Sequence, residues 1–337
     1  MLVVKVNLGK LTDNIKFLSS KTNAQICAVI KADAYGHGDC IAKHLECLVD
    51  AFAVSSPEEA EKVSFYGIDK PIYILTPVIP DKVVKNFVYT LTSIEQVARI
   101  NDLYSGFPIN VSIKLNTGMN RFGVSENEFI EVKNAVYACH NLRLDSVFTH
   151  FYDASSVIEN EFQYKRFRVL TENLKDIKLH CAASTAFFCS KLYHADMVRI
   201  GLATYGYGNT QLTPVMTVST TVMRVAEVLK GEHIGYGDFV ASKNMRIAVI
   251  GAGYADGYRR IGKKERFVSF GGRLLRVLSV CMDVSIVEVG GVQIAQGDEV
   301  YLLGDAVSAQ NLADSYETII YEVLTSFKGN RVKRIYE

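Results

Sequence analysis

Lys31 closes the strand-like run QICAVIK (25–31) and is followed at once by ADAYGHG, so an amine leaves an extended segment and enters a glycine-flanked turn. An amine held there can condense with an aldehyde to a Schiff base, the usual tether of pyridoxal phosphate. A surface lysine in a loop is the plain alternative. Further polar groups stand at the ends of later strand-like runs: Lys114, Asn116 and Arg121 in KLNTGMNRFG, His150 in THF, Ser184 in CAAS, and Arg199 with Gly201 in MVRIGLATYG. Taken singly, His150 could be a satisfied core histidine, Ser184 the N-cap of the next helix, and Arg199 or Lys114 one half of an ion pair. Tyr254, in GAGYADGYRR, offers a phenol as an acid–base group that starts near pKa ~10. By itself it is one of 18 tyrosines, here in a β-turn.

These groups need a frame that gathers strand ends. From residue 25 to about 205, short β-rich runs alternate with longer amphipathic ones, the pattern of repeated βα units around a parallel sheet. Eight strands are expected, at 25–31, 51–55, 71–76, 88–92, 109–116, 142–150, 178–184 and 197–201. Helix-like segments with acidic first turns lie between several of them, at 56–67, 93–104 and 126–139, with Ser56 and Ser93 at N-cap positions. Eight such units predict a (β/α)8 barrel, although a doubly wound open sheet fits the local pattern almost as well. Polar groups at successive strand ends are what a barrel with one site requires.

After about residue 212 the texture changes to alternating Val, Thr and Ile runs broken by glycines, which predicts mainly antiparallel strands, with helical pattern only at SAQNLADS (308–315). The fold class is therefore α/β. A barrel is expected over 8–212 and a mainly β second domain over 213–337, with 1–7 a strand that joins it.

Composition narrows the partners. Lys plus Arg number 37 against 36 Asp plus Glu, so no broad charged field would attract nucleic acid or a membrane, and a small molecule is the expected partner. The seven cysteines (27, 40, 47, 139, 181, 189 and 281) are scattered without a CxxC pair or zinc-ligand spacing, which reads as free thiols in a reducing compartment and no metal. MLVVKVNLGKL is too interrupted by lysines for a signal peptide, and no run of 18 apolar residues occurs. A soluble, cytoplasmic protein is expected.

The run AVIKADAYGHG closely resembles the cofactor-lysine motif of the alanine racemases, K-A-N/D-A-Y-G-H-G, and the resemblance extends segment by segment from residue 24 to 337. It implies pyridoxal 5'-phosphate on Lys31, with the phosphate held by Tyr35, Ser184, Gly201, the backbone of Leu202, and Tyr321 in IIYEVL. His150 would pack on the pyridine ring and Arg199 would face its nitrogen. A guanidinium donates a hydrogen bond but does not readily surrender its proton, so the ring becomes a weaker electron sink, which favours simple proton exchange over transamination or decarboxylation. Inverting a stereocentre through a planar carbanion is most simply done with a proton-transfer group on each face. Lys31 would serve one face and Tyr254, in the family's G-Y-A-D-G, the other, reaching the site from the second subunit of a homodimer. Arg121 and the backbone amide of Met282, in Cys281-Met282-Asp283, would bind the substrate carboxylate. Lys114 stands where many members carry a carbamylated lysine; an ordinary lysine paired with a carboxylate is the alternative.

The chain departs from the family's V-G-R-x-C-M-D, reading V-L-S-V-C-M-D with neither the glycine nor the arginine among Leu278, Ser279 and Val280, and it ends in RVKRIYE where R-V-P-R is common. The reading is an isomerase that interconverts L- and D-alanine and supplies D-alanine for the peptidoglycan of a cell wall. A racemase of broader range, acting on serine, and a basic amino-acid decarboxylase of the same plan are the enzymatic alternatives, and a non-catalytic pyridoxal-phosphate carrier is the alternative outside enzymes. GAGYADG is not a dinucleotide fingerprint, since it does not open a helix after a first strand.

Overall fold

Strands covered on both faces read as unbroken apolar runs, and AVI, AFAV and IYI are of that kind. In the computed structural model, which describes residues 2–103, 106–237, 239–260 and 264–337, eight such strands form one parallel sheet. Gln25–Val29, Ala51–Val54, Ile72–Ile74, Phe87–Leu91, Ile109–Lys114, Leu142–Phe148 and Lys178–His180 pair in chain order, and Met197–Ile200 returns to pair with Gln25–Val29. A single parallel bridge between Ala183 and Arg199 spans the remaining seam. The sheet is thus a nearly closed barrel, and the doubly wound alternative is excluded because the strand order never reverses.

Local sequence explains most of the connecting helices. Ser56 Oγ accepts from the Glu59 amide at the start of Pro57–Ser64, and Ser93 Oγ accepts from the Gln96 amide at the start of Ile94–Asn101. The expected helix 93–104 reaches Tyr104, which lies outside the described residues. Glu126–Ala138 begins where the Glu128 carboxylate accepts from the Ser125 amide and hydroxyl. No helix joins Ile72–Ile74 to Phe87–Leu91, a stretch that holds Pro77 and Pro80. Leu8–Ser19, which the sequence pattern did not single out, is helical and buries Leu11, Ile15 and Leu18 on one face.

The chain divides into two compact units, Lys10–Ala34 with Asp39–Pro214, and Met1–Gly9 with Tyr35–Gly38 and Val215–Glu337. The second holds an eight-stranded sheet in which Leu2–Val6 pairs antiparallel with Met216–Val228 and parallel with Val332–Tyr336. Met216–Val228 also pairs with both Met245–Ile250 and Glu299–Leu303, so this long strand is shared around a second, mainly antiparallel barrel. Its helical content exceeds what the sequence pattern predicts: besides Ala309–Tyr316, capped by Ser308, there is Ile320–Ser326, a short helix with no side-chain cap to announce it.

Candidate active site

Lys31 stands two residues past the strand Gln25–Val29, and the backbone beyond it is left-handed. Ala32, Asp33, Ala34 and Tyr35 have φ of 54°, 56°, 51° and 54°. Left-handed backbone costs about 1–2 kcal/mol for each residue with a Cβ, so the run persists only because its surroundings hold it. The Ala34 amide donates to Ile30 O at 2.9 Å, the Glu59 carboxylate accepts from the Ala32 amide at 2.8 Å, and Asp33 Oδ1 accepts from the Asp39 amide at 3.0 Å. Burial pushes the Lys31 amine below the ordinary lysine range, and the guanidiniums of Arg121 and Arg199 push the same way against Glu59.

Arg199 is 3% exposed and has no carboxylate partner among the described residues. Its guanidinium instead donates to Nδ1 of His180 at 2.7 Å, Nδ1 of His150 at 3.2 Å, and the carbonyls of Thr149, His180 and Cys181. A cation so held requires both Nδ1 atoms to be unprotonated. Burial, followed by Arg199, pushes His150 down to about 3 and His180 well below the usual imidazole range. Burial also lowers Arg199 to about 10, which leaves it charged at neutral pH. His180 is a member of this site that sequence reasoning missed; the available signal was a second histidine at a barrel strand's end.

Lys114 ends the strand Ile109–Lys114 and is 5% exposed, its ammonium lying 5.4 Å from the Phe122 ring centroid and 5.6 Å from that of Phe148. No carboxylate pairs with it among the described residues. Burial, reinforced by Arg121, Arg199 and Lys31, lowers it to about 8. Asn116 builds the loop that carries the exposed Arg121: its Oδ1 accepts from the amides of Gly118 and Asn120. Ser184 is not an N-cap, since Ala183 occupies that position. The Ser184 hydroxyl accepts from the amides of Gly201 and Ala203 at 3.2 Å each, which brackets Leu202 in a fixed loop. Lys31, Lys114, Arg121, Arg199 and Glu59 thus make one end of the barrel strongly cationic.

In the other unit, the rings of Tyr35 and Tyr321 lie 5.9 Å apart, and burial raises both phenols. Gly36 comes next in the chain with φ of 81°, and a Cβ there would come within 2.3 Å of Leu324 O, so only glycine fits. Tyr254 is 43% exposed, and its turn is stapled to the Cys281-Met282-Asp283 segment. The Tyr254 amide donates to Cys281 O at 3.1 Å and the Ala255 amide to Met282 O at 3.0 Å. Arg331 pairs with Asp256 and Asp283, which braces both sides of that staple. The serine at 279 packs on Gly235, where a Cβ would lie 2.4 Å from its hydroxyl.

Two family descriptions match the chain, "Alanine racemase, N-terminal domain" over residues 6–209 and "Alanine racemase, C-terminal domain" over 215–336. The chain belongs to the alanine racemase family. A protein named alanine racemase from Thermodesulfovibrio yellowstonii is 35% identical over 99% of this chain and 97% of its own length. One from Citrifermentans bemidjiense is 32% identical over 99% and 98% respectively. Among solved structures, an alanine racemase from Clostridium difficile 630 superposes with a TM-score of 0.93 at 30% identity, covering 99% of this chain and 95% of that one. The family makes this chain an isomerase. No helix among the described residues is long and apolar enough to cross a membrane.

Proposed function

We propose that this chain interconverts L- and D-alanine with pyridoxal phosphate held covalently by Lys31, in the cytoplasm, and supplies D-alanine for peptidoglycan. The observation that carries the reading is Arg199, a buried cation satisfied by two histidine nitrogens and three carbonyls rather than by an acid. The donor set fits the group: Lys31, Arg121 and Arg199 against the Glu59 carboxylate suit an anionic occupant, and the Ser184 hydroxyl, by holding the Gly201 and Ala203 amides, fixes the loop in which the Leu202 amide suits a phosphate. When bound, pyridoxal phosphate supplies an electron sink conjugated with the substrate's Cα.

The chain's own residues do the rest. Lys31 exchanges a proton with Cα on one face, a role its lowered pKa favours, because more of the amine is available as a base near neutral pH. The Tyr254 phenol serves the opposite face, contributed by the second copy of a homodimer. Arg121 grips the substrate carboxylate together with the Met282 amide, and Lys114, as a carbamate, orients Arg121. His150 would pack on the pyridine ring of the bound group, while Tyr35, Tyr321, Ser184, Gly201 and the Leu202 backbone would hold its phosphate. Arg199 would face the pyridine nitrogen of the bound group as a donor that keeps its proton, and so would favour simple proton exchange.

The test is solvent deuterium incorporation at Cα of each alanine enantiomer, with purified protein and added cofactor. Exchange with inversion and no loss of carboxylate supports the reading, and Lys31→Ala should abolish it. Release of carbon dioxide, or full activity of Tyr254→Phe in both directions, would overturn the two-base assignment.

A further inference from the structure

Glu59 belongs to the first turn of the Pro57–Ser64 helix, where its neighbour Glu58 is an exposed acid of the usual helix-start kind. Its carboxylate is used differently. One oxygen accepts from the Ala32 amide at 2.8 Å and the other from the Ser55 amide at 2.7 Å. The Ile30 amide donates to Ala53 O at 2.9 Å as the two neighbouring barrel strands finish, and the Glu59 carboxylate continues their pairing where the backbones diverge. Ala32 is the first of the four residues with left-handed backbone, so the amide that Glu59 holds is the one that sets the start of that run, directly after Lys31. Of the charged groups that act on Lys31, Arg121 and Arg199 are cations and Glu59 is a carboxylate.

We propose that Glu59 is a positioning residue for Lys31, its two carboxylate oxygens clamping the strained turn after the lysine to the end of the adjacent barrel strand. The inference rests on the reading of Lys31 as the cofactor lysine. The shape of the clamp requires a carboxylate. A carboxamide offers only one oxygen, and its NH2 would meet the second amide donor head on. An aspartate keeps the charge but is one methylene short of spanning both amides.

Three variants separate these features: Glu59→Gln, Glu59→Asp, and Glu61→Gln as a control on the same helix, where Glu61 pairs with Lys82 at the surface. Two readouts are needed, both taken well below the melting point of every protein compared. The first is the growth rate of the visible imine band when pyridoxal phosphate is added to the cofactor-free chain. The second is competitive acetylation of Lys31 against pH in the cofactor-free chain, read by peptide mass spectrometry. Both Glu59 variants should form the imine about tenfold more slowly than the parent, the scale expected of a misplaced reacting group. Glu59→Gln should also lower the acetylation midpoint of Lys31 by about half a unit to one unit, the sign of losing a nearby negative charge, whereas Glu59→Asp should leave it near the parent value. Glu61→Gln should match the parent in both.

Parental imine rates in both Glu59 variants with a parental acetylation midpoint in Glu59→Gln, even alongside a lowered melting temperature, would make Glu59 a residue of the fold alone and overturn the proposal. Should Glu59→Gln not fold, the imine rate of Glu59→Asp decides by itself. If the parent forms no imine band at all, it is the assignment of Lys31 that fails, and the Glu59→Gln midpoint still decides whether Glu59 governs that amine.

Discussion

Nη1 of Arg199 lies 2.7 Å from Nδ1 of His180 and 3.0 Å from the same residue's carbonyl oxygen. With Nδ1 accepting, the ring proton sits on Nε2, which faces Ser146 Oγ at 3.3 Å, and Ser146 in turn donates to Ser112 Oγ at 2.8 Å. The ring is also stacked on Phe148, centroids 4.8 Å apart. Orientation and tautomer are therefore both fixed around the arginine. His180→Leu leaves a buried guanidinium donor without its acceptor and should cost about 1–3 kcal/mol of stability. His180→Asn, which retains an acceptor, should recover part of the loss. Thermal melts and racemisation rates of the pair check this, and equal melts for the two variants would count against the hydrogen-bond account.

Gly253 tests how closely the Tyr254 turn depends on the segment beneath it. A Cβ at Gly253 would sit 2.2 Å from Met282 O and 2.5 Å from Cys281 O, backbone atoms that cannot step aside without moving the Cys281-Met282-Asp283 segment. Gly253→Ala should destabilise the protein by about 1–3 kcal/mol through overpacking. Because the same staple carries both Tyr254 and the Met282 amide, kcat and KM for alanine should both worsen. A variant that melts lower yet keeps both constants would show the two groups to be independent of the staple.

How much of the fold and site is legible in the sequence depends on the range of each interaction. The barrel is readable because strands buried on both faces leave apolar runs, and because Ser56 and Ser93 mark helix starts by bonds that reach only three residues. Glu59 is not readable. Locally it is one more acid in a first turn, and its bond to Ala32 crosses 27 residues of chain. Ser184 shows the same limit: its place before the helix suggests a cap, whereas its hydroxyl serves amides 17 and 19 residues away. The Leu8–Ser19 helix has no acidic residue in its first turn, so that sign of a helix start is missing.

Lys114 carries a prediction about carbon dioxide. With its amine lowered to about 8 by burial and by the cations around it, roughly half is neutral at pH 8, against about 0.4% for an ordinary lysine. Neutral amines are the form that carbon dioxide carbamylates, and the new negative charge would relieve the repulsion among Lys31, Arg121 and Arg199. Carbon-13-labelled bicarbonate should therefore give a carbamate signal that disappears in Lys114→Arg. If parent and variant show the same spectrum, Lys114 acts as a plain cation.

Acid should loosen the barrel in a recognisable order. His194 is held neutral by burial, stacked 4.5 Å from the Phe187 ring, with its ring nitrogens bonded to Phe187 O at 2.9 Å and Thr22 Oγ1 at 2.8 Å. Its pKa lies below the value near ~6.5 that it takes in the unfolded chain, so the unfolded state binds the proton more readily. The stability this residue contributes is therefore fully present above pH ~6.5 and is lost as the pH falls below it. His150, lowered to about 3, and His180 shift in the same direction, so the losses accumulate on acidification. Melting temperature should fall as the pH drops below ~6.5, and the fall should be shallower in His194→Gln, which has no ring to protonate. A parent and variant that lose stability in parallel between pH ~6.5 and ~4 would remove His194 from the account and leave carboxylate protonation as the cause.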